Sequence, residues 1–273
     1  MSTLDVAKKD FLDVRRAKMI WFVTGLYVLI AVLMFYFGQN GIEDPNFYSA
    51  LLGLTNYGAM IIPLIALVTA YLGIAGERES GSIKYMLSIP NSRRDVVLGK
   101  FLTRSAVVVG AILVGFGVGA VLGLLWYTSF DVEMFLGTLA LTILFTLTYV
   151  SIAIGISAAT ASRSRAMGGV IGFFFVTNVL ALFGLVNTAL DWIFNDLLGA
   201  DLSMDILRFV ESVVSPLMAF VNSLDLVFPA EVGQIPPDSP WYLEGEAMIG
   251  ILLAWLVIPL VLGIWRFERA DLG

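Results

Sequence analysis

A chain of 273 residues that is 59% hydrophobic and only 14% charged, with a mean hydropathy of +0.89, carries too little polar surface for a water-soluble domain. It has no histidine and no cysteine, which excludes disulfides, thiol redox chemistry and the usual ligand sets of zinc, haem and iron–sulfur centres. The same absences remove histidine acid–base catalysis and the Ser–His and Cys–His nucleophile pairs, so most hydrolase readings fail.

The net charge is −6 and the isoelectric point near 4.7, with lysine confined to Lys8, Lys9, Lys18, Lys84 and Lys100. An acid excess with few lysines suits a strongly screened, high-salt setting, and a salt-loving source is expected on that ground. The apolar runs reach the ~20 residues that cross a bilayer as a helix. They show no alternation at period two, which argues against a β-barrel.

In chain order, residues 1–18 come first. Leu4, Ala7, Phe11, Val14 and Lys18 share one helical face, with Lys8, Lys9, Asp10, Asp13, Arg15 and Arg16 around the rest. That pattern predicts an amphipathic helix lying in the membrane interface as an anchor. Residues 19–273 then form the membrane domain, with six spans expected at 19–37, 54–75, 101–127, 134–161, 167–190 and 247–265. The first is expected to be retained, because no small-residue cleavage site follows it. Lys and Arg gather before span one, between spans two and three, between four and five, and after six, whereas the other side holds Arg208 alone. The positive-inside rule therefore predicts both termini in the cytoplasm of a multi-pass protein.

The loop 76–100 is the informative one. Ile83, Met86 and Leu87 fall on one face of a short helix between Gly81 and Pro90. Ser92 and Asp95 form a capping-box pattern ahead of Val96, Val97 and Leu98, so a second helix starts there. Spacing alone leaves two roles open, a positive loop that fixes topology or a docking element.

Residues 191–246 read as an outer segment with one or two amphipathic helices on, or dipping into, the membrane surface. Arg208, Glu211 and Asp225 make 206–228 too costly as a span. Pro216 should break it, and Pro236–Pro237 mark an extended linker.

Within the spans, Gly115, Gly119 and Gly123 make a small-residue stripe, suited to a subunit seam or to packing inside one subunit. Gly168, Gly169 and Gly172 stand in the same position. Pro63 and Pro259 are expected to kink their helices. No Asp, Glu, Lys or Arg occupies a span centre, and the polar groups there are Asn178, Asn187, Thr69, Thr142, Thr146 and Thr148. Interhelical hydrogen bonding is their default use. The ten methionines are scattered, as core filling requires.

Glu77, Glu79, Gly81-Ser82, Leu87-Ser88, Pro90, Arg93-Arg94 and Gly99-Lys100 resemble the pattern of ABC-2 type permeases, which runs acid-x-Glu-x-Gly-Thr, Leu-Ser-x-Pro, Ser-Arg, Leu-Gly-Lys. Ser82 stands where Thr is usual and keeps the hydroxyl. The layout is most similar to the permeases of nitrous-oxide-reductase maturation. The resemblance implies an all-α integral membrane fold of six transmembrane helices, with type V exporter-like architecture. It also implies a second permease copy or a sister permease, and a cytoplasmic ATPase subunit docked on this loop. Glu77, Glu79, Gly81, Ser82, Met86, Leu87, Arg93 and Arg94 become the coupling candidates, and ATPase closure would rock spans one, two and five. ATP and magnesium would sit on the partner, since the chain has no phosphate-binding Gly-x-x-x-x-Gly-Lys-Ser/Thr loop and binds no cofactor or metal itself. No nucleic-acid partner is expected. The rival readings are an ATP-independent secondary carrier, a structural membrane subunit, and last a membrane enzyme.

Overall fold

A computed structural model describes residues 3–16, 19–40, 46–88, 92–228 and 239–271. They are helical almost throughout, with no strand among the described residues. The helices are α1 (Thr3–Arg16), α2 (Met19–Asn40), α3 (Phe47–Ala70), α4 (Ala75–Glu79), α5 (Ser82–Ser88), α6 (Arg93–Trp126) and α7 (Val132–Ala159). They continue as α8 (Arg163–Phe174), α9 (Leu185–Asp191), α10 (Met204–Val214), α11 (Pro216–Ser223) and α12 (Gly245–Glu268).

Side-chain caps set where these helices begin. Asn46 accepts from Ser49 N at 2.7 Å, and Asp131 accepts from Met134 N at 2.9 Å. At α6 the Ser92–Asp95 capping box closes in both directions, as the sequence predicts. α6 runs for 34 residues, roughly 51 Å at 1.5 Å per residue, so it outruns a hydrocarbon core of ~30 Å. Its first turns therefore project at the end of the bundle that gathers Lys and Arg, called here the basic end; the opposite one is the acidic end.

Five continuous helices, α2, α3 with α4, α6, α7 and α12, are long and apolar enough to cross a membrane. The fifth expected span is not one straight helix. It is a pair of limbs, Arg163–Leu180 and Leu185–Leu197, bent by 84°. The cause is local: Phe175–Leu180 is wound as a π-helical turn, and Gly184 then takes φ +68°. The left-handed conformation ends one limb and redirects the next.

The core is aromatic against glycine. A Cβ on Gly115 would overlap the Tyr27 ring, one on Gly119 would lie 3.1 Å from Phe35, and one on Gly123 would lie 3.0 Å from Phe130 and Phe47. The α6 stripe is thus filled from within the chain by α2 and α3. The closest crossing joins α7 to α12, where a Cβ on Gly155 would press into the backbone carbonyl of Pro259 and one on Gly263 would lie 2.7 Å from the Gly155 Cα. Gly168 and Gly172 meet nothing within 4 Å, so they are free of the bundle. Thr142 and Thr146 turn back to their own helix, whereas Thr148 reaches the Leu252 carbonyl on α12 at 3.2 Å.

The break at Pro216 occurs as the sequence predicts, with Pro216 opening α11. Of the two helices around it, α11 turns into the bundle and α10 packs on it by one face, with Met204, Ile206 and Val213 exposed on the other. Trp255, ten residues (~15 Å) into α12, donates its indole N–H to the Val213 carbonyl at 2.9 Å. Phe220 stacks on Phe145 of α7 at 4.2 Å, and the buried Ser215 hydroxyl donates to the Thr177 carbonyl at 2.5 Å. Beside it Tyr149 donates to Asn178 at 2.8 Å. The interrupted backbone is thereby satisfied by protein at depth, the condition under which a bilayer tolerates it. Residues 229–238, with the expected linker, lie outside the described residues.

Candidate coupling site

At the basic end, α3 turns through Tyr71–Ile74 into α4. The backbone N–H groups of Ile74 and Ala75 both donate to the buried Ser157 hydroxyl of α7 at 3.0 Å. Arg78 donates to the carbonyls of Ala158 (3.2 Å) and Thr160 (2.8 Å), satisfying the open C-terminal end of α7. The short helix α4 is thus clamped across the foot of α7.

Glu77 and Lys100 tie the same element to α6. Lys100 is 2% exposed, and its ammonium lies 2.6 Å from Glu77 and 2.9 Å from Asp10 of α1. Arg104 approaches Asp10 at 3.4 Å. A cation buried this deeply persists only when paired. α1 is held alongside by Thr103, which donates to the Ala7 carbonyl at 2.9 Å, and by Thr3, which donates to Asp95 at 2.6 Å. Val6 packs against Gly99 so closely that a Cβ there would sit 2.8 Å away. Val6 and Asp10 are buried against α6, a charge-paired face that the periodicity did not show, while Leu4 and Phe11 of the expected apolar face stay exposed on the outside of the bundle.

Arg93 caps the end of α12. Its guanidinium donates to the carbonyls of Phe267 (2.7 Å) and Glu268 (3.0 Å), and both Arg93 and Arg78 lie 5.6 Å from the Phe267 ring centre. Glu79 accepts from the backbone N–H of Arg163 at 2.6 Å at the start of α8. Gly81 takes φ +74° to reverse the chain between α4 and α5, and the Ser80 and Ser82 hydroxyls are 2.9 Å apart. On α5, Ile83 is buried and Leu87 packs against the core. Ser82, Lys84 and Tyr85 face outward, as does Arg94 at the start of α6.

The eight residues singled out from the sequence therefore part company. Glu77 and Arg93 are spent on internal bonds, Gly81 is the hinge, and Leu87 seats α5. Glu79, Ser82 and Arg94 are presented at the surface, and the Met86 side chain lies outside the described residues. Sequence reasoning missed Arg78, Asp10 and Lys100 as bracing groups. Lys100 was visible in the Leu-Gly-Lys pattern, whereas Asp10 gave no signal because its partner lies ninety residues away.

These features define a polytopic transport subunit, and the chain belongs to the ABC-2 family transporter proteins, whose family model matches residues 4–272. Among known proteins it is similar to the "Probable ABC transporter permease protein NosY" of Pseudomonas aeruginosa, 29% identical over 180 residues covering 63% of this chain and 66% of that one. A protein of the same name from Stutzerimonas stutzeri is 28% identical over 199 residues, covering 68% and 69%. The aligned part thus spans about two thirds of each relative. These relatives are permease subunits rather than catalysts, and this chain is a permease of that type.

Proposed function

We propose that this chain is the membrane-spanning subunit of an exporter driven by ATP, which a separate cytoplasmic ATPase hydrolyses with its own magnesium. Both termini lie in the cytoplasm, α1 rests at the inner interface with Leu4 and Phe11 toward lipid, and a second copy or a sister permease completes the path. The observation that carries the reading is the bracing of α4 and α5. Their outward edge is polar and exposed, while their inward edge is bonded to α6, α7, α8 and α12, and through Lys100 to α1. A push on Ser82–Ser88 therefore reaches most of the bundle without bending a loose loop. Spans two and five, through α3 and Glu79, receive it directly, and spans four and six receive it through Ser157 and Phe267. Ser82, Lys84 and Arg94 are the groups left free to meet the ATPase, and Glu79, half-exposed, meets it from the edge it shares with Arg163.

Affinity purification of the tagged chain from its native membrane in mild detergent tests this. A stoichiometric ATPase subunit is expected, and it should be lost on Glu79→Lys with Arg94→Glu while the permease stays folded. A folded wild-type chain with no nucleotide-binding partner would overturn the reading.

A further inference from the structure

Near the acidic end a cleft of about 660 Å³ opens between α3, the bend joining α8 to α9, and the pair α10 and α11. That is the size range of sites for small organic molecules. Leu217, Met218 and Val221 of α11 and Met60 of α3 supply apolar walls. Two polar groups do not fit a lipid-facing groove. Asn56 is exposed nine residues into α3, about 14 Å from its start, and no partner for its amide is found among the described residues. Glu211 lines the opposite wall, one turn before the buried break at Ser215, and is itself only 9% exposed. Polar and ionisable groups at membrane depth are costly and mark paths or binding sites.

Glu211 is the charged group that lines the cleft. Asn187 donates its side-chain amide to one oxygen of Glu211 at 3.2 Å, and its backbone N–H favours the same carboxylate. Among the described residues no Lys or Arg lines the cleft, and Arg208, one turn earlier on α10, lies 3.8 Å from Asp205 and acts on Glu211 from outside the lining. Burial pushes the Glu211 carboxyl above its ordinary range, against the opposing pull of Asn187 and Arg208. A cation seated beside it would offset that burial cost. The cleft is also walled next to interrupted helices, by Ala181, Leu182 and Gly184 just after the π-turn on one side and by Leu217 and Met218 just after the Ser215–Pro216 break on the other. Discontinuous helices at depth are a recurring framework for transporter sites.

We propose that this cleft binds a hydrophobic monocation, with its charge against Glu211 and its apolar body against Met60, Leu217 and Met218. The site is separate from the coupling face, so it is measured on the permease alone, without an ATPase. A failure here leaves the ATPase reading standing, and the reverse holds as well.

The test is equilibrium dialysis of the full-length purified chain in lipid nanodiscs against tetraphenylphosphonium, with neutral triphenylphosphine oxide as the size-matched control. Saturable binding near one per chain is expected for the cation, at least tenfold tighter than for the neutral probe. Glu211→Gln, which keeps the Asn187 bond, should abolish that preference and leave the neutral probe unchanged. Met218→Trp should fill the cleft and weaken both. Equal binding of cation and neutral probe to the wild type, or a preference that survives Glu211→Gln, would overturn the proposal. Should Glu211→Gln fail to fold, loss of saturable cation binding in Met218→Trp supports the site, and undiminished binding there overturns it.

Discussion

Lys100→Met is the most demanding test of the bracing at the basic end. The substitution keeps the length and apolar stem of the side chain and deletes only the charge. It leaves Asp10, 7% exposed, with Arg104 alone at 3.4 Å, and removes the cation 2.6 Å from Glu77. The second oxygen of each acid already has no hydrogen-bond partner among the described residues, so neither has a substitute donor in place. Deleting one partner of a buried pair costs about 3–5 kcal/mol. Glu77 is a quarter exposed and water will soften its share, which puts the expected loss near the lower end, about 3 kcal/mol. Reversible unfolding in mixed micelles, followed by tryptophan fluorescence, measures it. The sharper control is the triple variant Asp10→Leu, Lys100→Met, Glu77→Gln. Replacing buried ion pairs with neutral groups is often nearly neutral, and only Arg104, 12% exposed and the most distant member of the cluster, keeps its charge, so this variant should regain more than half of the loss. A single-variant loss below about 1 kcal/mol, or a triple variant worse than the single, would refute the argument that charge pairing holds α1 and α4 to α6.

Arg93→Ala should free the end of α12 at a cost of about 1.5–3 kcal/mol, the range for a hydrogen bond to a charged group, and it should appear as faster proteolysis after Trp265. Gly155→Val should fail to accumulate as folded protein, because its Cβ would meet the Pro259 backbone, which unlike a side chain cannot rotate away; normal yield and melting would show that the crossing is looser than described. The Glu211 carboxyl, raised by burial, gives a signed pH dependence. The folded state binds the proton more tightly, so its contribution is fully present below the unfolded carboxyl range and is lost as pH rises through the folded value. Paired melts should therefore show the wild type losing ground to Glu211→Gln between pH 4 and neutrality, and a wild type that gains ground instead would refute the burial argument.

Much of the fold was legible because its signals are local. Apolar length placed the continuous spans, and Ser92 with Asp95 placed the start of α6 to the residue. Gly81 and Pro216 marked a turn and a break that the backbone makes. Three features were not legible, each for a different physical reason. The 84° bend sits inside an apolar run, where hydropathy registers only the run and a π-turn has no compositional mark. The depth of α10 and α11 rests on the Ser215, Phe220 and Val213 contacts to distant helices, which no window of sequence contains. The burial of Asp10 does not show in the amphipathic pattern that marks α1 as a helix, because the lysine it pairs with lies ninety residues away. At the candidate site the motif residues were found, but their roles divided between bracing and presentation. Only the geometry separates Arg93, which holds α12, from Arg94 beside it, which faces out.

The two ends of the molecule are joined by the same pair of helices. On α7, Ser157 holds α4 at the basic end, and Phe145 and Tyr149, eight to twelve residues (~12–18 Å) away, hold α11 and the π-turn. On α12, Phe267 receives Arg93 at one end, while Trp255, about 18 Å along, holds α10 through the Val213 carbonyl. The helices meet where Gly155, Pro259 and Gly263 bring backbone against backbone, and a contact without side chains between has little room to slide. A displacement of α4, such as the proposed ATPase would impose, would therefore be carried as a tilt of the α7–α12 pair rather than as a local shift. The elements that must answer that tilt are those already broken, α8 with its π-turn and the α10–α11 vertex, because an intact helix resists bending and an interrupted one does not. The bend that follows the π-turn, at Ala181–Gly184, and the α10–α11 pair also wall the Glu211 cleft. The crossing at Gly155 is thus the point where coupling and cargo binding would be separated: a substitution tolerated there that loosened the pair should leave ATPase docking and cation binding each intact, while uncoupling one from the other.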